Sequence, residues 1–308
     1  MLESGVMAAV LPLALIVLAL AAAGFGGALD ARAAGTSLSV GVRAPVVQAV
    51  RLLRQQRRTI PGADSLLWRI GGGGLVVAAV LQVVVVPLGG VTVADLPVGV
   101  VWFNAMDVLV WALWWLLGWG ANSAWSLVGG YRFLAQALAY EIPLMFALTG
   151  PAIAAGSLRM ADVVTAQGAL WFVVSMPIAF LVYLVSVAAF SAWGPFATSS
   201  GTDAAGGVLA ELSGVDRLLV LAGRYALLTA GAAVAVSLFL GGGAGPLLPA
   251  WAWVLVKTVV LLGLLVAIGR AVPAIRPEKL TEVAWVVVLP LVLLQLLVTS
   301  VLAALGGS

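Results

Sequence analysis

Cysteine and histidine are both absent from this 308-residue chain, and only 9% of its residues carry charge. Without thiolates or imidazoles it has no ligands of the kind that hold iron–sulfur clusters, haem or ordinary zinc sites, and no disulfide can form. Any redox centre working beside it belongs to another chain, so neither a metal nor a bound cofactor is expected here. The scarcity of charge excludes a soluble protein of this length. A chain that is 63% hydrophobic, with a mean hydropathy of +1.18, would have to expose that apolar surface to water. Low-complexity tails, soluble domains and clear internal repeats are lacking as well, and no nucleic-acid partner is expected.

What remains is a series of apolar runs. Segments long enough to cross a bilayer lie at about 6–29, 70–88, 96–119, 133–155, 169–192, 218–240, 250–268 and 285–305. The expected fold is an all-α integral membrane protein of eight transmembrane helices, organised as one polytopic domain over 1–308. The first run has the apolar core of a signal peptide but no basic stretch before it, and is read as a retained span. Of the 15 basic residues, all but Arg159 and Lys257 fall on or beside the connectors that follow spans one, three, five and seven. The positive-inside rule makes those connectors cytoplasmic and puts both termini on the outer side.

The first of these connectors contains "APVVQAVRLLRQQRRTIP". Val46, Val50 and Leu53 share one helical face while Arg51, Arg54 and Arg58 turn towards the other, and Pro45 suits a first turn. This predicts an amphipathic helix over about 45–58, lying in the membrane interface. The alternative is a basic stretch that only sets topology and touches anionic lipid.

Three charges sit at membrane depth. Glu141 lies nine residues beyond Arg132, about 13 Å along a helix, and Asp107 and Lys257 lie at comparable depth in the third and seventh spans. A buried charge costs about 2.5–3.5 kcal/mol on insertion scales, so each needs a partner, water or a function. A proton or ion path through Glu141, Asp107 and Lys257 is one reading. An Asp107–Lys257 or Glu141–Lys257 ion pair that holds helices together is the other. Arg132, Gln136 and Tyr140 follow at i, i+4 and i+8, a polar stripe that fits a lined cavity or a helix contact. The connector 193–217, with Asp203, Glu211 and Asp216 as its acids, could line a ligand mouth, dock a soluble partner or be a mobile loop.

Taken in order, these segments resemble the H subunit of respiratory complex I, the membrane component that holds most of the quinone chamber beside the hydrophilic arm. The resemblance rests on "GWGANSAWSLVGGYRFLAQALAYEIPL" at 118–144, "GPF" at 194–196, "ELSGV" at 211–215, "FLGGG" at 239–243 and "VKTVVLLGLLVAIGRAVPAIRPEKL" at 256–280. The first-loop stretch "VVQAVRLLRQQRRTIPGAD" is similar to the helix that borders the family's chamber entrance. The resemblance implies a quinone chamber or subunit interface at Arg132, Gln136, Tyr140, Pro195, Phe196, Glu211, Arg270 and Arg276. It implies quinone as a substrate shared with a partner, and a subunit that is not catalytic alone. Implied partners are other membrane subunits and soluble iron–sulfur subunits, in a cell membrane. The chain departs from the family where acids are usual: Phe190, Ala192, Trp193 and Ala197 replace charged loop positions, and Arg224-Tyr225 stands where Glu-Tyr is usual. Two further readings are the membrane anchor of an energy-converting hydrogenase or related ferredoxin-type oxidoreductase, and an ion transporter or structural anchor. The missing inverted repeat weighs against the transporter.

Overall fold

A long apolar run in hydrocarbon has few ways to satisfy its backbone, and this chain uses the helical one. The computed structural model describes residues 2–58, 60–202 and 205–306, the side chains of 2–8 and 306 excepted. Asp203 and Ser308, on which sequence expectations fall, lie outside the described residues. Among the described residues eight helical segments are long and apolar enough to cross a membrane, and all are α-helical in the main. The eight-span, all-α expectation therefore stands.

In chain order the helices are α1 (Leu2–Ala33), α2 (Leu38–Arg54), α3 (Ser65–Val83), α4 (Gly99–Gly120), α5 (Ala124–Ala155), α6 (Met160–Ala166), α7 (Phe172–Ser175), α8 (Pro177–Phe190), α9 (Gly214–Phe239), α10 (Ala250–Ala271), α11 (Pro277–Val283) and α12 (Leu289–Gly306). The central helix is α9, which packs on α1, α2, α3, α8 and α10. Outward faces carry exposed Leu13, Val17, Val260, Leu264, Leu294 and Leu297, the pattern of a surface turned to lipid.

Several boundaries move for identifiable reasons. The second span runs Ser65–Val83 and not 70–88, because Asp64 caps it: its Oδ1 accepts from the N–H groups of Leu66 and Leu67 at 2.9 and 3.2 Å. Such a cap contributes about 1 kcal/mol. Arg69 is thus inside the helix, where a long side chain can reach the interface. The fourth span begins at Ala124 and not at 133, which places Arg132 two turns inside it. The amphipathic helix runs Leu38–Arg54, not 45–58, so Pro45 is in its interior. One turn before it, Gly41 lacks a side chain and lets α1 and α2 touch backbone to backbone. Val46, Val50 and Leu53 remain exposed along one side of α2, as an interfacial helix requires, while Leu52 is buried.

The fifth apolar run is broken: α7 ends at Ser175 and α8 restarts at Pro177. A side chain from the last span repairs the break. The Gln295 Oε1 accepts from the N–H of Ala179 at 2.8 Å, and its Nε2 donates to the Ser175 carbonyl at 3.3 Å. The helix end thus keeps partners that it cannot supply itself. Between α11 and α12 the segment Ala284–Val288 is a π-helical turn.

On the face opposite the Arg-rich connectors, Arg159 grips Asp95 through Nε at 2.7 Å and through Nη2, and this hydrogen bonding holds the Asp95 carboxyl below its ordinary 3.8 despite some desolvation. A carboxyl whose folded pKa is depressed stabilises the fold above its unfolded value, and the contribution is lost as pH falls through the folded one. Acid sensitivity below about pH 4 is therefore expected to diminish in Asp95→Asn. Melting temperatures followed down through that window should converge for variant and wild type. Parallel curves would show that the pair contributes nothing.

Candidate functional site

Two polar regions are built into the apolar bundle. The first lies between α4 and α5. On α4, Asn104, Asp107 and Trp111 recur at i, i+3 and i+7, so all three meet the same neighbour. That neighbour is the Tyr140-Glu141 pair of α5. The Trp111 Nε1 donates to the Tyr140 hydroxyl at 3.2 Å, that hydroxyl donates to Asp107 Oδ1 at 3.4 Å, and Asn104 Nδ2 donates to Glu141 Oε1 at 3.1 Å. Asp107, Tyr140 and Glu141 are all buried. The two carboxyl groups also meet each other, yet Asp107 Oδ2 and Glu141 Oε2 lack any donor. Ionised carboxylates only accept, so their contact is satisfied when one of them carries a proton. Chemically, two carboxyl groups placed this way can share a proton.

The second region is a cavity of about 560 Å³ on the Arg-rich side, lined by α1, α2, α3, α9, the end of α10 and the turn at Trp193-Gly194. Its volume is in the range of small-molecule sites. Ile16, Leu20, Leu52 and Leu221 give it apolar walls, and Asp30, Gln48, Arg224, Tyr225 and Arg270 give it a polar end. Arg270 pairs with Asp30 at 3.0 Å and lies 5.4 Å from the Trp193 ring centroid. The Trp193 ring in turn packs on Tyr225, with centroids 4.9 Å apart. Gly194, at φ +55°, is seated against Gly269 of α10, where an added Cβ would lie 2.5 Å from the Gly269 Cα. Only glycine at 194 brings Trp193 over the cavity in this way.

A family model described as NADH dehydrogenase matches residues 3–300 of the chain. The chain is 33% identical over 251 residues to the second NADH-quinone oxidoreductase H subunit of Geobacter sulfurreducens, covering 78% of this chain and 76% of that one. It is 34% identical over 263 residues to the second H subunit of the same enzyme from Cereibacter sphaeroides, covering 84% and 82%. The chain belongs to the family of NADH-quinone oxidoreductase H subunits.

Within this member of the family, the residues anticipated from sequence separate into groups. Glu141, Asp107 and Tyr140 come together in the carboxyl pair's network. Lys257 does not join them. Its Nζ donates to the carbonyls of Leu240, Gly242 and Ala244 at 2.7, 2.9 and 2.7 Å, beneath the ring of Trp171 at 4.0 Å. No ion pair with Asp107 or Glu141 is present among the described residues, so the packing ion pair is corrected to a clamp on the end of α9. The cause is direction: a helical side chain leans towards the N-terminus of its helix, which carries the ammonium away from the middle of the bundle.

Arg132, Pro195, Phe196 and Glu211 organise the 193–217 connector. Arg132 Nη1 donates to the Gly206 carbonyl at 3.0 Å, Ile275 donates to the Pro195 carbonyl at 2.8 Å, Phe196 is buried, and Glu211 accepts from Ser123 at 2.8 Å and Arg58 at 2.9 Å. Gln136 donates to the Ala189 carbonyl at 2.7 Å. None of these lines the cavity, and Arg276 is an exposed residue preceding α11. Of the residues assigned to a chamber or interface, only Arg270 reaches it. Asn104 and Trp111 join the carboxyl pair without being expected there, though the i, i+3, i+7 spacing around Asp107 marks them. Nor does the sequence single out Asp30, Gln48, Trp193 and Tyr225 as lining residues, since they are scattered over four separate segments. No group of three or more His, Cys, Asp or Glu side chains among the described residues is placed to hold a metal.

Proposed function

We propose that this chain is the chamber-forming membrane subunit of a complex I-like NADH-quinone oxidoreductase. The observation that carries the reading is the 560 Å³ cavity with apolar walls and a polar end beside the Arg-rich connectors. A quinone headgroup fits the polar end, and its isoprenoid chain fits the apolar walls. The electrons come from a soluble iron–sulfur partner seated on the Arg-rich face, since this chain has no electron carrier of its own. The Arg-rich face is cytoplasmic by the positive-inside rule, and both termini lie on the far side of the cell membrane.

Asp107 and Glu141 form a proton-holding station next to other membrane subunits. The names borne by the relatives favour this reading over the hydrogenase anchor and over the transporter. Lys257, clamped by three carbonyls, takes no part in the path. The placement is tested with a quinone analogue bearing an aryl azide, photolysed in native membranes. Labelling is expected in peptides covering 16–27, 44–52 or 218–226. Labelling confined to α4 and α5, or none in this chain, would overturn it.

A further inference from the structure

The charged residues lining the cavity are Asp30, Arg224 and Arg270. Asp30 and Arg270 neutralise each other at 3.0 Å, so the excess positive charge belongs to Arg224. No acidic side chain pairs with it among the described residues. Its Nε donates to the Ser191 carbonyl at 3.4 Å and its Nη2 donates to the Ala192 carbonyl, both neutral backbone acceptors. Those two carbonyls lie just beyond the last turn of α8, whose dipole supplies about half a negative charge. They offset the guanidinium only in part. In a cavity with low-dielectric walls, the remaining positive potential is focused on whatever occupies the polar end.

The surroundings restrict that occupant further. The tilted Trp193 and Tyr225 rings give the polar end an aromatic wall that suits a planar ring, and Gln48 supplies a neutral amide. We infer that the cavity selects a quinonoid ring bearing a dissociated acidic oxygen, and that Arg224 sets this preference. The inference rests on the cavity being a quinone chamber. A neutral ring leaves the Arg224 charge unpaired, whereas an anionic oxygen completes a charge-assisted hydrogen bond to it. A guanidinium serving only to clamp the end of α8 would be indifferent to the charge of the ligand.

The test uses the full chain, in the assembly with which it purifies, reconstituted in lipid nanodiscs. Two ligands with the same alkyl tail are titrated at neutral pH and followed by quenching of tryptophan fluorescence: a 2-hydroxy-1,4-naphthoquinone, which is a dissociated vinylogous acid there, and its 2-methoxy ether. Wild type is expected to bind the acid roughly tenfold more tightly or better. Arg224→Gln should abolish the preference and Arg224→Lys should keep it. Asp30→Asn, which removes the one carboxylate of the lining, should increase it. Where Arg224→Gln fails to fold, the loss of preference is read in Arg224→Met, whose unbranched apolar side chain fills the space without the charge.

Equal affinity of wild type for both ligands, or a preference that survives Arg224→Gln, would overturn the inference and leave the quinone chamber standing. Binding of neither ligand would remove the chamber reading, and this inference with it. Displacement of the hydroxynaphthoquinone by a fatty acid of equal length at equal affinity would show that any lipid anion suffices, which also overturns the ring requirement.

Discussion

Replacing Glu141 with Gln is expected to lower proton translocation about a hundredfold while quinone reduction and assembly persist, the size of effect seen when a positioned proton carrier is removed. The side chain keeps its shape, and its Oε1 can still accept from Asn104, as Glu141 does at 3.1 Å. Its amide can also donate to the Asp107 oxygen that now lacks a donor. What disappears is the second carboxyl group with which Asp107 can share a proton. Asp107→Asn should have the same effect for the same reason, and the double variant should be no worse than either single one. Reconstituted vesicles with a pH-sensitive dye, driven by quinone reduction, give the readout. Unimpaired acidification by Glu141→Gln would end the proton role. Failure of both variants to assemble would make the pair a structural element instead.

Gly41→Ala is expected to be a severely damaging small substitution. A Cβ added at Gly41 would lie 2.2 Å from the Gly27 carbonyl oxygen, and one at Gly27 would lie 2.1 Å from that of Gly41. Both obstacles are backbone, so neither can be relieved by a rotamer change, and α2 has to lift from α1. Overpacking of this kind costs about 1–3 kcal/mol and sometimes more. The same movement displaces Ala44, Pro45 and Gln48 from the cavity wall. Loss of thermal stability and of quinone photolabelling should therefore occur together in Gly41→Ala and Gly27→Ala. Gly73 of α3 has no neighbour within 4 Å of an added Cβ, and Gly73→Ala should be neutral or slightly stabilising. A Gly41→Ala protein as stable as Gly73→Ala would contradict the backbone contact.

Span number and the alternation of basic connectors are legible in the sequence because both depend on local composition, which hydropathy and charge report directly. Helix ends are less legible. Arg69 and Arg132 look like boundary markers, but long cationic side chains extend back to the interface from inside a helix. The depth of Lys257 is right along the chain and wrong in space, because sequence position gives the depth of the Cα and the ammonium lies far from it, under Trp171. Asp107 and Glu141 can be recognised singly as costly charges, but their meeting depends on how α4 packs against α5. The cavity leaves almost no trace in the sequence. Its walls are short runs of alanine and leucine on α1, α2 and α9 that resemble any other lipid-facing surface, and its polar end draws on residues as distant as Asp30 and Arg270.

The repair of the α7–α8 break by Gln295 has a consequence for biogenesis. The backbone groups of Ala179 and Ser175 depend on a residue 116 and 120 positions further along the chain. At ribosomal speeds of about 5–20 residues per second, that glutamine is made roughly 6–24 s after the groups it will satisfy. During that interval the Ala179 N–H and the Ser175 carbonyl, four residues apart, have only each other as an α-helical pair. The break between α7 and α8 is therefore a late feature of biogenesis, opened when the last span arrives with Gln295 and exchanges that local pair for two contacts of its own.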